Sequence, residues 1–145
     1  MQAKEIIRRG EGPNYPFLQD HCFVKLASHH TNGGLCFVED TLKPGFYLPR
    51  HHHKKMLEVF YILEGEVEYT FDDEVLIAKS GDTVTVPPNV WHAARCEKGG
   101  KMLSIFKNGM FDEYLQRLTE LTEEQFADKA LMARVAAEFD IYEEE

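Results

Sequence analysis

The sequence predicts an all-β domain, a sandwich or barrel of short strands finished by helices at its C-terminal end. Three observations carry this. Short apolar, β-prone runs recur between residues 22 and 107, with a turn signal between each pair. After Gly109 the apolar period changes from two to the helical spacing. The 145 residues suit one core, with 1–109 expected as barrel plus N-terminal lead and 110–145 as helices packed on the barrel or on a dimer, within the same domain.

Along the chain, the opening to Gln19 is rich in Gly, Pro and aromatics, as in a segment that lies on a surface without regular structure. Residues 22–27 read as a strand, Asn32-Gly33-Gly34 as a turn able to take positive φ, and residues 35–42 as the returning strand. Lys43-Pro44-Gly45 turns the chain into GFYLPRHHHKK, and residues 56–63 form an apolar run with both faces hydrophobic. Glu64-Gly65-Glu66 is expected to close a hairpin into VEYTF, where Val67, Tyr69 and Phe71 face the core. Turns at residues 72–74, 79–82 and 87–89 lead to VLIA, TVTV and His92, from which alternation puts Ala94 and Cys96 inward. A last strand, KMLSIFK, follows Gly99-Gly100. Phe111, Tyr114, Leu115 and Leu118 then share a helix face. Thr122 with Gln125 makes a capping box for a helix expected to run to Phe139, with Phe126, Leu131, Val135 and Phe139 as its apolar positions. Glu143 to Glu145 reads as a solvated acidic tail.

Composition narrows the partners. A net charge of -9 without a basic cluster argues against nucleic acid and anionic membranes and favours a small-molecule partner. No apolar run approaches the roughly 20 residues of a membrane span, and MQAKEIIRRGEG lacks a signal-peptide core, so a cytoplasmic protein is expected. Cys22, Cys36 and Cys96 are scattered and odd in number, which predicts reduced, buried thiols. His29 and His30 read as a solvated loop tip.

The chemistry concentrates between Gly45 and His92. On an extended segment, residues two apart share a side, so His51 and His53 face one way and His52 the other. Glu58 shares its face with Phe60 and Ile62, which aims a carboxylate into an apolar surface. Such a group calls for a partner, a raised pKa or a metal, and with two imidazoles beside it a metal is the economical answer.

The spacing G-x5-H-x-H-x4-E-x6-G, from Gly45 through His51, His53 and Glu58 to Gly65, resembles the first motif of the cupin superfamily. Gly81, Pro87 and His92 resemble the second motif, with Asn89 where a glycine is usual and Cys96 where an asparagine is common. The resemblance implies a jelly-roll barrel of the single-domain cupin type in which His51, His53, Glu58 and His92 hold one metal. GEGPNYPFLQD and ALMARVAAEFDIY also look like the ends of bacterial quercetinase-like cupins.

A three-histidine, one-carboxylate set suits iron, manganese, nickel, copper or cobalt, with zinc also allowed. Phe60, Ile62, Val67, Met102 and Phe106 are candidates for an apolar substrate pocket. The quercetinase likeness implies a metal-dependent dioxygenase acting on a flavonol-like or other enolisable phenolic substrate, with Glu58 as ligand and base. A metal-dependent isomerase or lyase and a noncatalytic small-molecule sensor are the alternatives. The two-sided apolar run at 56–63 needs a second covering surface, which predicts a homodimer.

Overall fold

The computed structural model describes residues 4–143. The expected acidic tail lies mostly outside them. Strands β1 (Asn14–Pro16), β2 (Asp20–Leu26), β3 (Leu35–Leu42), β4 (Phe46–His52), β5 (Leu57–Glu64) and β6 (Glu66–Phe71) come first in the chain. They are followed by β7 (Val75–Lys79), β8 (Thr83–Val86), β9 (His92–Cys96) and β10 (Gly100–Lys107). Helices α1 (Phe111–Thr119), α2 (Glu123–Ala127) and α3 (Lys129–Glu138) and a short β11 (Tyr142–Glu143) complete it.

The strands form two antiparallel sheets, a six-stranded one in the order β1-β2-β3-β10-β5-β8 and a five-stranded one in the order β11-β4-β9-β6-β7. Their inner faces meet in one apolar cluster that takes Phe60, Ile62, Val84, Val86 and Met102 from the first sheet and Phe46, Val67, Tyr69, Ala94 and Cys96 from the second. This is a jelly-roll arrangement, with the period-two patterning of each strand buried between the layers. The Tyr69 hydroxyl, with no exposed surface, is 3.6 Å from Met102 Sδ and so finds a weak partner inside the core. A second cluster, Cys22, Cys36, Val38, Met56, Phe106 and Leu115, lies where α1 meets the six-stranded sheet, with Phe106 stacked on Phe111 at 4.4 Å. All three cysteines are buried and unpaired.

Three local expectations change. Glu64-Gly65-Glu66 does not close a hairpin, because β5 pairs with β8 and β10 whereas β6 pairs with β7 and β9. At Gly65 the chain instead crosses from one sheet to the other. The helix expected from Thr122 to Phe139 is two helices. The Thr122–Gln125 capping box is present, but Asp128 takes an extended conformation and caps Leu131 N–H, starting α3 afresh. Phe126 on the short α2 is exposed, whereas Val135 on α3 is buried. In the N-terminal lead, residues 14–16 pair with β2 as an edge strand. No described helix is long and apolar enough to cross a membrane.

Candidate metal centre

The site bridges the two sheets. His51 on β4 and His92 on β9 are register partners in the five-stranded sheet, and Glu58 comes from β5 of the six-stranded sheet. His53 follows β4 directly. A register shift between Leu48 and His51, at Pro49-Arg50, adjusts the strand just ahead of the histidines. One donor atom from each of His51, His53, Glu58 and His92 lies within 4.8 Å of the others, and all four residues are buried. His52 stands outside the group and stacks on Trp91 at 4.2 Å.

All three rings are oriented the same way. Nδ1 of His51 donates to Pro49 O at 2.8 Å, that of His92 to Val90 O at 2.9 Å, and that of His53 to Asp140 O at 2.7 Å. A carbonyl oxygen only accepts, so Nδ1 carries the proton in each ring and the neutral imidazole turns an Nε2 lone pair inward. His92 Nε2 is buried without a hydrogen-bond partner, 3.7 Å from Glu58 Oε1, and His53 Nε2 contacts the same oxygen. Lone pairs and a carboxylate that converge in a buried space repel one another unless positive charge lies among them.

The titration behaviour says the same. Burial lowers His51 to about 4, helped by the neighbouring His92. Burial alone would depress His53 too, but its hydrogen bond and charge interaction with Glu58 carry it above the ordinary imidazole value. Burial would raise Glu58; contact with His53 and His92 instead holds its carboxylate well below the usual range. Three imidazole nitrogens and one carboxylate oxygen fit a divalent transition ion.

The orienting role of Asp140 is not evident in the sequence. At the end of α3 the Asp140 N–H reaches Ala137 O and the Ile141 N–H reaches Ala136 O, a Schellman ending with Asp140 at φ 64 where glycine is usual. Its carboxylate accepts the N–H groups of Lys54, Lys55 and Met56 at 2.8–2.9 Å, while its carbonyl takes the His53 proton. The one available signal was a polar residue just past an alanine-rich helix.

Of the expected pocket residues, Phe60, Ile62, Val67 and Met102 pack together in the inter-sheet core and Phe106 joins the α1 cluster. A separate cleft of about 440 Å³ has Phe71, Val90 and Trp91 in its wall and Asp73, Glu74, Thr83 and Thr85 around it. Phe71 is the register partner of His92, although none of the four donors lines this cleft. A larger cavity of about 620 Å³, lined by Ile7, Phe37 and Leu103 among others, likewise includes none of the four donors.

Comparison with known proteins agrees with this architecture. Residues 38–106 match the cupin domain family. The chain carries a cupin domain over that stretch. It is 25% identical over 114 residues to a quercetin 2,3-dioxygenase of Bacillus subtilis (strain 168), a match covering 78% of this chain. This cupin chain spans 34% of the length of the curated relatives it matches. Among solved structures it resembles an RmlC-like cupin of Shewanella frigidimarina NCIMB 400, with TM-score 0.63 and 24% identity over 78% of this chain and 99% of that one. It also resembles a predicted oxalate decarboxylase of Thermotoga maritima, with TM-score 0.64 and 18% identity over 71% of this chain and 98% of that one. Likeness at these identities speaks for the fold.

Proposed function

We propose that this cupin is a metal-dependent dioxygenase-like enzyme acting on a small enolisable or phenolic, flavonol-like molecule. His51, His53, Glu58 and His92 would hold one divalent ion of iron, manganese, nickel, copper or cobalt, with zinc also accommodated. The observation that carries the reading is the convergence of inward Nε2 lone pairs and the Glu58 carboxylate in a buried space. When bound, the ion supplies Lewis acidity toward a substrate oxygen. The protein's own contribution is to fix that geometry: main-chain acceptors lock three rings, and the packed core behind Glu58 excludes water. Glu58 is held ionised, so it is ready both to ligate and to accept a proton from a bound hydroxyl.

Substrate enters through the cleft at Phe71, Val90 and Trp91, whose aromatic wall suits a planar ring. Exposed Asp73 and Glu74 beside it oppose a polyanion and favour a neutral, enolisable ligand. The quercetin 2,3-dioxygenase relative supports the same substrate class. The ionised Glu58 also favours a second reading, an isomerase or lyase that moves a proton without oxygen. The assembly is read as a homodimer, which would cover surface that the isolated chain leaves apolar.

Elemental analysis of untagged, chelator-free protein tests the site first. About one transition ion per chain is expected, lost in His51→Ala and His92→Ala and retained in His52→Ala. Protein that takes up no ion after anaerobic reconstitution would remove both enzyme readings. Oxygen consumption with flavonols supports the dioxygenase; anaerobic turnover of the same compounds supports the proton-transfer reading.

A further inference from the structure

Among the described residues, β7 ends the five-stranded sheet and pairs with β6 alone. It presents three consecutive aliphatic side chains to water, Val75 at 57%, Leu76 at 42% and Ile77 at 58% exposure. The other sheet margins are guarded: β1 contains Pro16, β8 alternates exposed Thr83 and Thr85, and β11 has two residues. No proline or bulge protects β7, whose only charge is the terminal Lys79.

The Phe71 N–H bond to Glu74 O, 2.8 Å, closes the turn into β7 and sets its alternation. The main-chain groups of Leu76 and Ala78 therefore face β6, and those of Val75 and Ile77 face the open edge. We propose that β7 pairs antiparallel with β7 of a second copy about a two-fold axis at Leu76, joining two five-stranded sheets edge to edge. This rests on the homodimer reading and names its edge.

The sequence around the axis is self-complementary. An axis at Leu76 sets Val75 opposite Ile77, the two residues with free main-chain groups, and Lys79 opposite Asp73. Moving the axis to Val75 would set Ile77 against Asp73, and moving it to Ile77 would set Lys79 against Val75. Apolar and charge pairing agree in one register of the three. The ladder stops at Lys79, whose N–H already bonds Asp82 Oδ2 at 2.8 Å and whose carbonyl accepts the Asp82 N–H at 2.9 Å. Its exposed side chain makes only a long ion pair with Glu66, 4.0 Å, which an acidic group across the axis can share. On the outer face Val75 and Ile77 of both copies form one aliphatic patch flanked by these ion pairs.

The test is sedimentation of the full chain across a concentration series, since a single-edge interface of this kind dissociates readily. The wild-type chain is expected to dimerise. Lys79→Glu, which places acid opposite Asp73, should weaken the dimer about tenfold, and Asp73→Lys combined with Lys79→Glu should restore it. Leu76→Cys should give a disulfide-linked dimer on mild oxidation, because a non-hydrogen-bonded pair brings facing Cα atoms to about 4.5 Å, within disulfide reach. The native cysteines are buried and leave the new thiol as the reactive one. A monomer at every concentration overturns both the edge and the homodimer. A dimer indifferent to Lys79→Glu and not linked through Leu76→Cys overturns the edge alone and leaves the homodimer standing.

Discussion

His53 is held in place by a residue from the far end of the chain. The Asp140 carbonyl takes its Nδ1 proton, and the Asp140 carboxylate ties down the next three N–H groups, those of Lys54, Lys55 and Met56. Those three bonds hold the Asp140 carboxyl below its usual range against the opposing effect of burial. Partners that orient a ligating histidine commonly govern metal affinity by about 10–100-fold. Asp140→Gly is expected to keep the left-handed helix ending and the carbonyl that takes the His53 proton, to weaken metal binding by less than that factor, and to destabilise the fold by about 1–3 kcal/mol through loss of the carboxylate's three bonds. Competition with a chelator and chemical denaturation would check the two effects separately. The donor set itself was legible because alternation and glycine-framed spacing are local. Asn89 was legible as well: it stands in for a motif glycine at φ 66, as its tolerance of that region allows. Asp140 was not, because its contact with His53 runs through a main-chain carbonyl that every residue type possesses.

Strand boundaries followed from period-two patterning, and the return strand Leu35–Leu42 was placed to the residue. Partner choice was less legible, since an apolar run looks the same whether the chain doubles back or changes sheet. At Gly65 it changes sheet. There φ is 84 and an added Cβ would lie 2.9 Å from Gly99 O, so the crossing needs both positive φ and a bare α-carbon. Gly65→Ala is expected to cost about 1–3 kcal/mol, read as a lowered denaturation midpoint with unchanged slope. The split between α2 and α3 has a similar origin. Asp128 sits inside a helical apolar pattern, but its side chain competes for the Leu131 N–H and restarts the helix.

For the molecule as a whole, the inter-sheet interior holds a second polar group besides the donor set. Asp40 is 3% exposed, accepts the Ser104 hydroxyl at 2.6 Å and lies 3.5 Å from Cys22 Sγ. Burial first, and then the neighbouring Asp20, push its carboxyl well above the usual range; burial raises Asp20 also. The native state thus keeps a proton that the unfolded chain releases near the ordinary value of 3.8. Stability from this pair is therefore greatest below that value and falls as pH rises toward the native pKa. Asp40→Asn should flatten this slope and melt above wild type at neutral pH, measured by thermal unfolding across a pH series. The fold class and the inward faces were readable from the chain, whereas this buried pair is created by β2, β3 and β10 coming together.

The place of Asp140 has a consequence in time. A ribosome delivers His51, His53, Glu58 and His92, and both sheets except β11, before it delivers the residue that orients His53. At about 5–20 residues per second, the nascent chain passes through a state with every donor made and one ring still free to turn. Orientation of the His53 ring therefore comes last, after α3 has ended and Asp140 has taken hold of the His53 segment.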